Sequence, residues 1–292
     1  MSGDTKKRNP AWDFTQFHNR MRVTGTLRLE TALRVGAGRS TAAAEVDLPV
    51  VKDEAERPFI PGSSFKGALR AHTEALLRAL DAQRQRDPSE EPALSCMSVS
   101  KPDQGILYAE AGCLTAELVK EKKKELSKEP ERLDRELWEE SCWVCQVFGA
   151  PWLASRVLIK DLTVDESTWF KRYQIRDGVA IDRDTETASE GKLYQFEAVP
   201  AGVCFDFELV AENLSPAEQG LLFLGLRAFE RGQAPLGGAR SRGLGWVELT
   251  DLQVKETPSA LALVKDETTS LDEDDRKSLV DKFLAEVGVE NV

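Results

Sequence analysis

The sequence predicts an α+β fold in which a single sheet packs against two helices. Three observations predict it. Several stretches alternate apolar and polar residues with the period of two of a half-buried strand, and two others space their apolar residues for a helix behind a recognisable start. The third is their order along the chain: strand, helix, strand, strand, helix, strand.

Taken in turn, Val23, Gly25, Leu27 and Leu29 alternate with Arg22, Thr24, Thr26 and Arg28, so Met21 to Leu29 reads as the first strand. A Gly- and Ala-rich loop over 36–44 follows, then a short extended piece through Pro49-Val50-Val51. Pro61 to Arg70 opens a helix that Ser63 or Ser64 caps; Phe65, Leu69, Leu76 and Leu80 form its apolar face, and it runs to about Arg84. Arg156 to Val164 reads as the second strand. Val203 to Val210 reads as the third, with Val203, Phe205, Phe207 and Leu209 on one face. Ser215 before Pro216 starts the second helix, which continues through Leu221, Leu222, Leu224, Leu226 and Phe229 to Gly232. Trp246 to Val254 closes as the fourth strand. That order is the ferredoxin-like (RRM-like) arrangement, spanning residues 20–255.

Two insertions decorate this core. Residues 87–147 are polar, rich in Lys and Glu, and carry four of the five cysteines; residues 171–199 read as a protruding β-hairpin with a polar tip over 184–191. Residues 256–292 form an acidic C-terminal tail, expected to fray apart from a short helix over Asp274 to Val287.

Length and composition narrow the class. With 292 residues, 41% apolar and 30% charged, the chain can bury a sizeable core, and no apolar run is long enough for a membrane span. The polar N-terminus leads into no signal segment, so a cytoplasmic chain with no membrane partner is expected. A net charge of −11 argues against nucleic-acid binding by bulk electrostatics. Ten acidic against four basic residues from Glu256 onward account for much of it, leaving −5 on the first 255. A local basic stripe can still hold RNA, because the field in a groove depends on nearby charge. No nucleophile elbow, P-loop or dinucleotide fingerprint occurs; Gly36-Ala-Gly38 lacks the rest of that pattern.

Three constellations carry chemistry. In Gly237-Gly-Ala-Arg-Ser-Arg-Gly-Leu-Gly245, successive N–H groups can form an anion-binding concavity to which Arg240 and Arg242 add charge; a glycine-rich turn with two solvated arginines has the same composition. The start of the first helix offers free N–H groups beside Lys66 and Arg70, four apart on one face, although by itself it reads first as an ordinary capped basic surface helix. Cys142-Trp-Val-Cys145, with Cys96 and Cys113 before it, supplies the four thiolates of a structural zinc that would staple a segment too polar for its own core. A redox CxxC or unrelated buried thiols are the alternatives, and Cys204 reads as core.

Leu33-Arg-Val-Gly36, Val46 to Asp53, Pro58 to Arg70 and the Gly237–Gly245 run together resemble the signature of the RAMP superfamily, over about residues 20 to 255. Within it the chain is most similar to the repeated backbone subunit of type III CRISPR effector complexes. The resemblance implies a guide (CRISPR) RNA and a complementary target RNA as partners, alongside other RAMP-type subunits, stacked copies or paralogues. It implies that Ser63, Ser64, Lys66 and Arg70, with Arg240, Ser241 and Arg242, contact guide phosphates. It makes the hairpin a thumb that wedges into the guide–target duplex, with Arg176, Ile181 and Arg183 as contacts, and comparable zinc-binding insertions occur in some relatives. It further implies that Asp47, two residues before Pro49, is required for target cleavage. RNA brings its own 2′-OH nucleophile, so one carboxylate anchoring a hydrated Mg²⁺ or another divalent ion would suffice; an Asx-turn residue is the alternative. Two functions follow, an RNA-guided endoribonuclease subunit and a non-catalytic guide scaffold. A guide-processing nuclease is a third, disfavoured by the lack of a histidine near Asp47 or in the glycine-rich loop.

Overall fold

The computed structural model describes residues 15–38, 46–84, 93–96, 113–178 and 194–289. In chain order the elements are β1 (Arg20–Leu29), β2 (Phe59–Ile60), α1 (Gly62–Asp81), α2 (Ala116–Glu125), α3 (Pro130–Glu139), α4 (Trp143–Phe148), β3 (Val157–Ile159), β4 (Leu162–Thr163), β5 (Gln174–Gly178) and β6 (Tyr194–Ala198). There follow β7 (Cys204–Glu212), α5 (Pro216–Glu230), β8 (Val247–Thr257), α6 (Ala260–Val264), β9 (Thr269–Leu271) and α7 (Glu273–Glu286). The main sheet runs β3-β7-β1-β8-β9 with every described pairing antiparallel. In terms of the four predicted core strands the order is second, third, first, fourth.

Alternation explains which face is buried. Met21, Val23, Leu27 and Leu29 of β1 and Phe205, Phe207, Leu209 and Ala211 of β7 point at the helices. The core face of α1 is Phe65, Leu69, Thr73 and Leu77, with Leu80 packed half-buried against the same core; of the expected face only Leu76 falls outside it. Phe65 sits 5.0 Å from the Phe207 ring and 4.8 Å from the Phe229 ring of α5, joining both helices to the sheet. The opposite face is polar and charge-paired: Arg22 makes a two-pronged bond to Glu208, which also holds Lys160 at 2.7 Å, and Arg28 meets Glu248.

Four further expectations are corrected. Neither Ser63 nor Ser64 caps α1; both lie inside its first turn, and the Gly62 N–H donates instead to Asp161 Oδ1 at 2.8 Å. The single strand expected over Arg156 to Val164 breaks after Ile159, because the chain turns there to bring Asp161 to that helix start. β3 joins the main sheet and β4 pairs with β2. Cys204 begins β7 half-exposed and is not core. The described part of the tail, to residue 289, is not frayed: β9 extends the sheet beside β8, and α7 buries Leu279, Val280 and Phe283. A Cβ on Gly220 of α5 would lie 2.0 Å from the Leu279 carbonyl oxygen, so the two helices touch backbone to backbone. Among the described residues no helix is long and apolar enough to cross a membrane.

Candidate functional site

Strand β6 is the hub of the site. Leu48 N–H donates to the Gln195 carbonyl at 3.1 Å, and Glu197 N–H to the Leu48 carbonyl at 3.1 Å, so the chain after Asp47 meets the outer edge of β6 in a single parallel bridge. Asp47 Oδ2 accepts the Gln195 N–H at 2.8 Å. The Gln195 side chain donates to Asp177 Oδ1, directly opposite on β5. Farther along, the buried Glu197 carboxylate accepts Val50 N–H and pairs with Lys52. The first residue of β6, Tyr194, accepts a hydrogen bond from Arg242.

The glycine-rich run meets the same strand. Ala239 and Gly243 take left-handed conformations on either side of a single 3-10 turn, Arg240–Arg242, all three residues of which are exposed. Gly237 has φ 77°, and a Cβ there would lie 2.4 Å from the Arg34 carbonyl oxygen, which also accepts Gly238 N–H; only glycine lets the loop seat on Arg34. Ala32, Phe196, Ala198 and Leu244 form a small buried cluster, with Leu48, Tyr194 and Ala239 against it. That cluster holds the Asp47 segment, the hairpin base and the glycine-rich loop together. Sequence reasoning missed Arg34: its guanidinium lies 5.7 Å from the Phe196 ring centroid, close to Gly238, and its buried Nε has no hydrogen-bond partner. The signal was the Arg within Leu33-Arg-Val-Gly36. Tyr194, Gln195 and Asp177 carried no sequence signal, since cross-strand pairing created their roles.

The start of α1 is built differently. Gly62 packs on the end of β3, which runs parallel to β1, and the glycine-rich loop leads into β8 opposite the end of β1. The register offsets them: Ile159 at the end of β3 is level with Leu209 and Val23, whereas Val247 after the loop is level with Leu29, six residues farther along β1, about 20 Å, and β3 and β8 are three strand positions apart across the sheet. At the helix start Ser63 is exposed and Ser64 partly so. Lys66 donates to Ser155 Oγ at 2.6 Å; burial, and then the Arg70 charge, lower its pKa from the ordinary lysine value. Arg70 turns toward the cysteine insertion, donating to Glu74, to the Gly149 carbonyl and, at 3.7 Å, to Cys145 Sγ. A cleft of about 480 Å³ beside this helix start is lined by Asp53, Asp161 and Glu166 around Arg57, a set without surplus positive charge. Arg176 is exposed on β5; Ile181 and Arg183 lie outside the described residues.

Cys96, Cys113, Cys142 and Cys145 come together in the interior, their sulfurs all within 4.8 Å of one another. Cys96 and Cys145 sulfurs are 3.6 Å apart, too far for a disulfide and close to the about 3.8 Å edge of a ZnS₄ tetrahedron with ordinary bonds. Cys96 N–H donates to Cys142 Sγ and Cys142 N–H to Cys113 Sγ. Hydrogen bonds from Cys113, Cys142 and Cys145 pull the Cys96 thiol far below its ordinary value. Cys113 is pushed up, first by its bond to Cys142. The donor set fits a divalent ion such as zinc.

A family model described as the RAMP superfamily matches residues 26–248. Among curated proteins, the chain is 25% identical over 244 residues to the "CRISPR system Cms endoribonuclease Csm3" of Methanocaldococcus jannaschii, covering 80% of this chain and 79% of that protein. It is 23% identical over 270 residues to the protein of the same name from Methanothermobacter thermautotrophicus, covering 83% and 89%. To that of Mycobacterium tuberculosis it is 38% identical over 81 residues, 27% of this chain and 34% of that one.

Proposed function

This chain belongs to the RAMP superfamily, and from that premise we propose that it is a cytoplasmic, guide-RNA-binding backbone subunit of a type III CRISPR effector complex that cuts complementary target RNA at Asp47. The observation that carries the reading is the convergence on β6 of three segments whose chemistry the reaction needs: the Asp47 carboxylate, the hairpin base and the glycine-rich loop. The sheet order, β3 and β8 flanking a central β7–β1 pair with β9 added outside β8 and α1 and α5 on one face, supports a ferredoxin-like core for residues 20–255.

In this reading the guide backbone runs along the glycine-rich loop, since Arg22, Arg28 and Lys160 on the open sheet face are already paired with glutamates. Arg240, Ser241 and Arg242 take guide phosphates with the loop amides, and Arg34, with its unpartnered Nε, adds a charge beneath them. Ser63, Ser64 and Lys66, set back along the strands and across the sheet from the loop, take phosphates elsewhere on the guide. The hairpin over 171–199 is the thumb, and Arg176 on its exposed strand faces the duplex. Copies or related subunits stack along the guide.

Asp47 holds one carboxylate oxygen on the Gln195 N–H, which leaves the other to orient a hydrated divalent ion near the scissile phosphate. That ion would supply a Lewis acid for the developing charge, and the attacking group is the 2′-OH of the RNA itself. The residues of this chain position the nucleotide and fix the carboxylate. Gln195 points its N–H away from the β5 ladder and toward Asp47, so Gln195→Pro removes that single bond and Gln195→Ala keeps it.

The test is target cleavage by the reconstituted complex with a divalent ion present. Asp47→Ala should slow cutting by at least about a hundredfold with target binding within twofold of wild type. Gln195→Pro should slow it roughly tenfold and Gln195→Ala little. The bond from Asp47 to a backbone N–H is also what a purely structural residue would make, which favours a second reading, a non-catalytic scaffold. Undiminished cutting by Asp47→Ala would establish that one.

A further inference from the structure

Helix α1 carries Arg70, Glu74 and Arg78 four residues apart on one face, which borders the cysteine cluster; Glu74 is buried and the two arginines are partly exposed. The Glu74 carboxylate, 8% exposed, binds Arg70 at 2.7 Å and lies 3.9 Å from Arg78. Arg78 reaches the Cys96 carbonyl at 3.3 Å. Arg70 reaches the carbonyl of Gly149, four residues past Cys145, at 2.7 Å and the Cys145 sulfur at 3.7 Å. Two of the four sulfur-bearing segments are thus held by arginines of a helix outside the insertion.

Charge explains the arrangement. Four thiolates around a divalent ion carry a net charge of about −2, and a buried anion is tolerated only when donors and cations face it. Two backbone N–H groups, of Cys96 and Cys142, already donate to sulfur. They bring no net charge. Arg70 does, in a planar fork whose prongs reach a sulfur and the carbonyl that ends α4.

We propose that Arg70 is the counter-cation of the four-cysteine metal centre, aimed by Glu74 and directed at the Cys145 sulfur, and that it is not a guide-phosphate contact. The proposal rests on reading the cluster as a metal site. It makes α1 the outer wall of that site, so the insertion is joined to the core by electrostatics as well as by packing.

The test uses the full-length chain loaded with zinc. Metal content is measured by elemental analysis, and release is followed with a chromogenic chelator under native conditions, for wild type, Arg70→Gln and Arg70→Lys. Arg70→Gln should release zinc about 10- to 100-fold faster. Arg70→Lys, which keeps the charge and loses the fork, should fall between it and wild type. Melting curves show whether each variant is folded at the assay temperature, and the order glutamine, lysine, arginine separates a charge effect from general loosening. The salt dependence of guide-RNA binding should be the same for Arg70→Gln and wild type. Zinc release within twofold of wild type in Arg70→Gln overturns the role of Arg70, as does a salt slope lowered by about one phosphate contact. A wild-type chain that carries no metal overturns the metal reading and this proposal with it.

Discussion

The start of α1 and the glycine-rich loop look alike as sequence, each a pair of basic residues beside backbone amides that could cradle a phosphate, yet the fold treats them in opposite ways. Arg240, Ser241 and Arg242 stand exposed on a turn that left-handed residues push outward, bound to the hairpin through Tyr194. Lys66 and Arg70 are half-covered by the chain at and just after the cysteine insertion, one on Ser155 and the other on Gly149 and Cys145, and an aspartate already holds the first helix N–H. The lesson is that positive charge can be read from sequence, whereas what the charge faces depends on what packs over it. A cysteine 75 residues away in the chain makes a basic residue of α1 a partner of a buried sulfur cluster.

Undoing the insertion should give the largest effect on that contrast. Cys142→Ser removes one of four clustered ligands; it is expected to abolish stoichiometric zinc and to cost about 4 kcal/mol or more, a fall in Tm of roughly 10 °C. Calorimetry with elemental analysis checks this, and unchanged melting would make the insertion independent of a metal. Next comes the buried clamp between insertion and core. Arg156 lies 4.4 Å from the Trp138 ring centroid of α3, donates to the Gln146 carbonyl of α4, and meets Glu218 at the start of α5 with both prongs. Arg156→Met leaves Glu218 buried and unpaired and should cost about 3–5 kcal/mol in a denaturant melt. The smallest effect belongs to the sheet face. Arg22, and then Lys160, hold the Glu208 carboxyl at about 2, against an ordinary 4.5. A depressed folded-state pKa stabilises the fold above 4.5, and that contribution is lost as the pH falls from 4.5 toward 2. Glu208→Gln should therefore lose about 1 kcal/mol at pH 7, with the difference from wild type shrinking across that window. The same variant should leave guide binding unchanged, which separates the paired sheet face from the glycine-rich loop.

Much of the framework was legible because it is periodic. The alternation through Val23, Leu27 and Leu29, the Phe205-Phe207-Leu209 face and the Ser215-Pro216 start of α5 all record a two-sided or one-sided burial that the sequence must encode locally. The capping box from Ser215 to Glu218 is equally local. Three things depend on distant chain and were not legible: the Asp161 carboxylate that caps α1, the side on which Arg70 turns, and the β6 edge that receives Asp47. The docking of α7 was hidden for another reason. Leu279, Val280 and Phe283 do show helical spacing, but the acidic residues around them dominate the composition, and only contact with Gly220 and Trp143 shows that the face is buried.

The claim on which the rest depends is that guide phosphates lie on the glycine-rich loop. Guide-RNA affinity of the full-length chain, measured against salt for Arg240→Ala/Arg242→Ala and for wild type, tests it most directly. Loss of two phosphate contacts to single-stranded RNA should make the plot of log affinity against log salt shallower by about 1.4. It should also weaken binding to every guide sequence alike. A slope and affinity unchanged in the double variant would contradict the account.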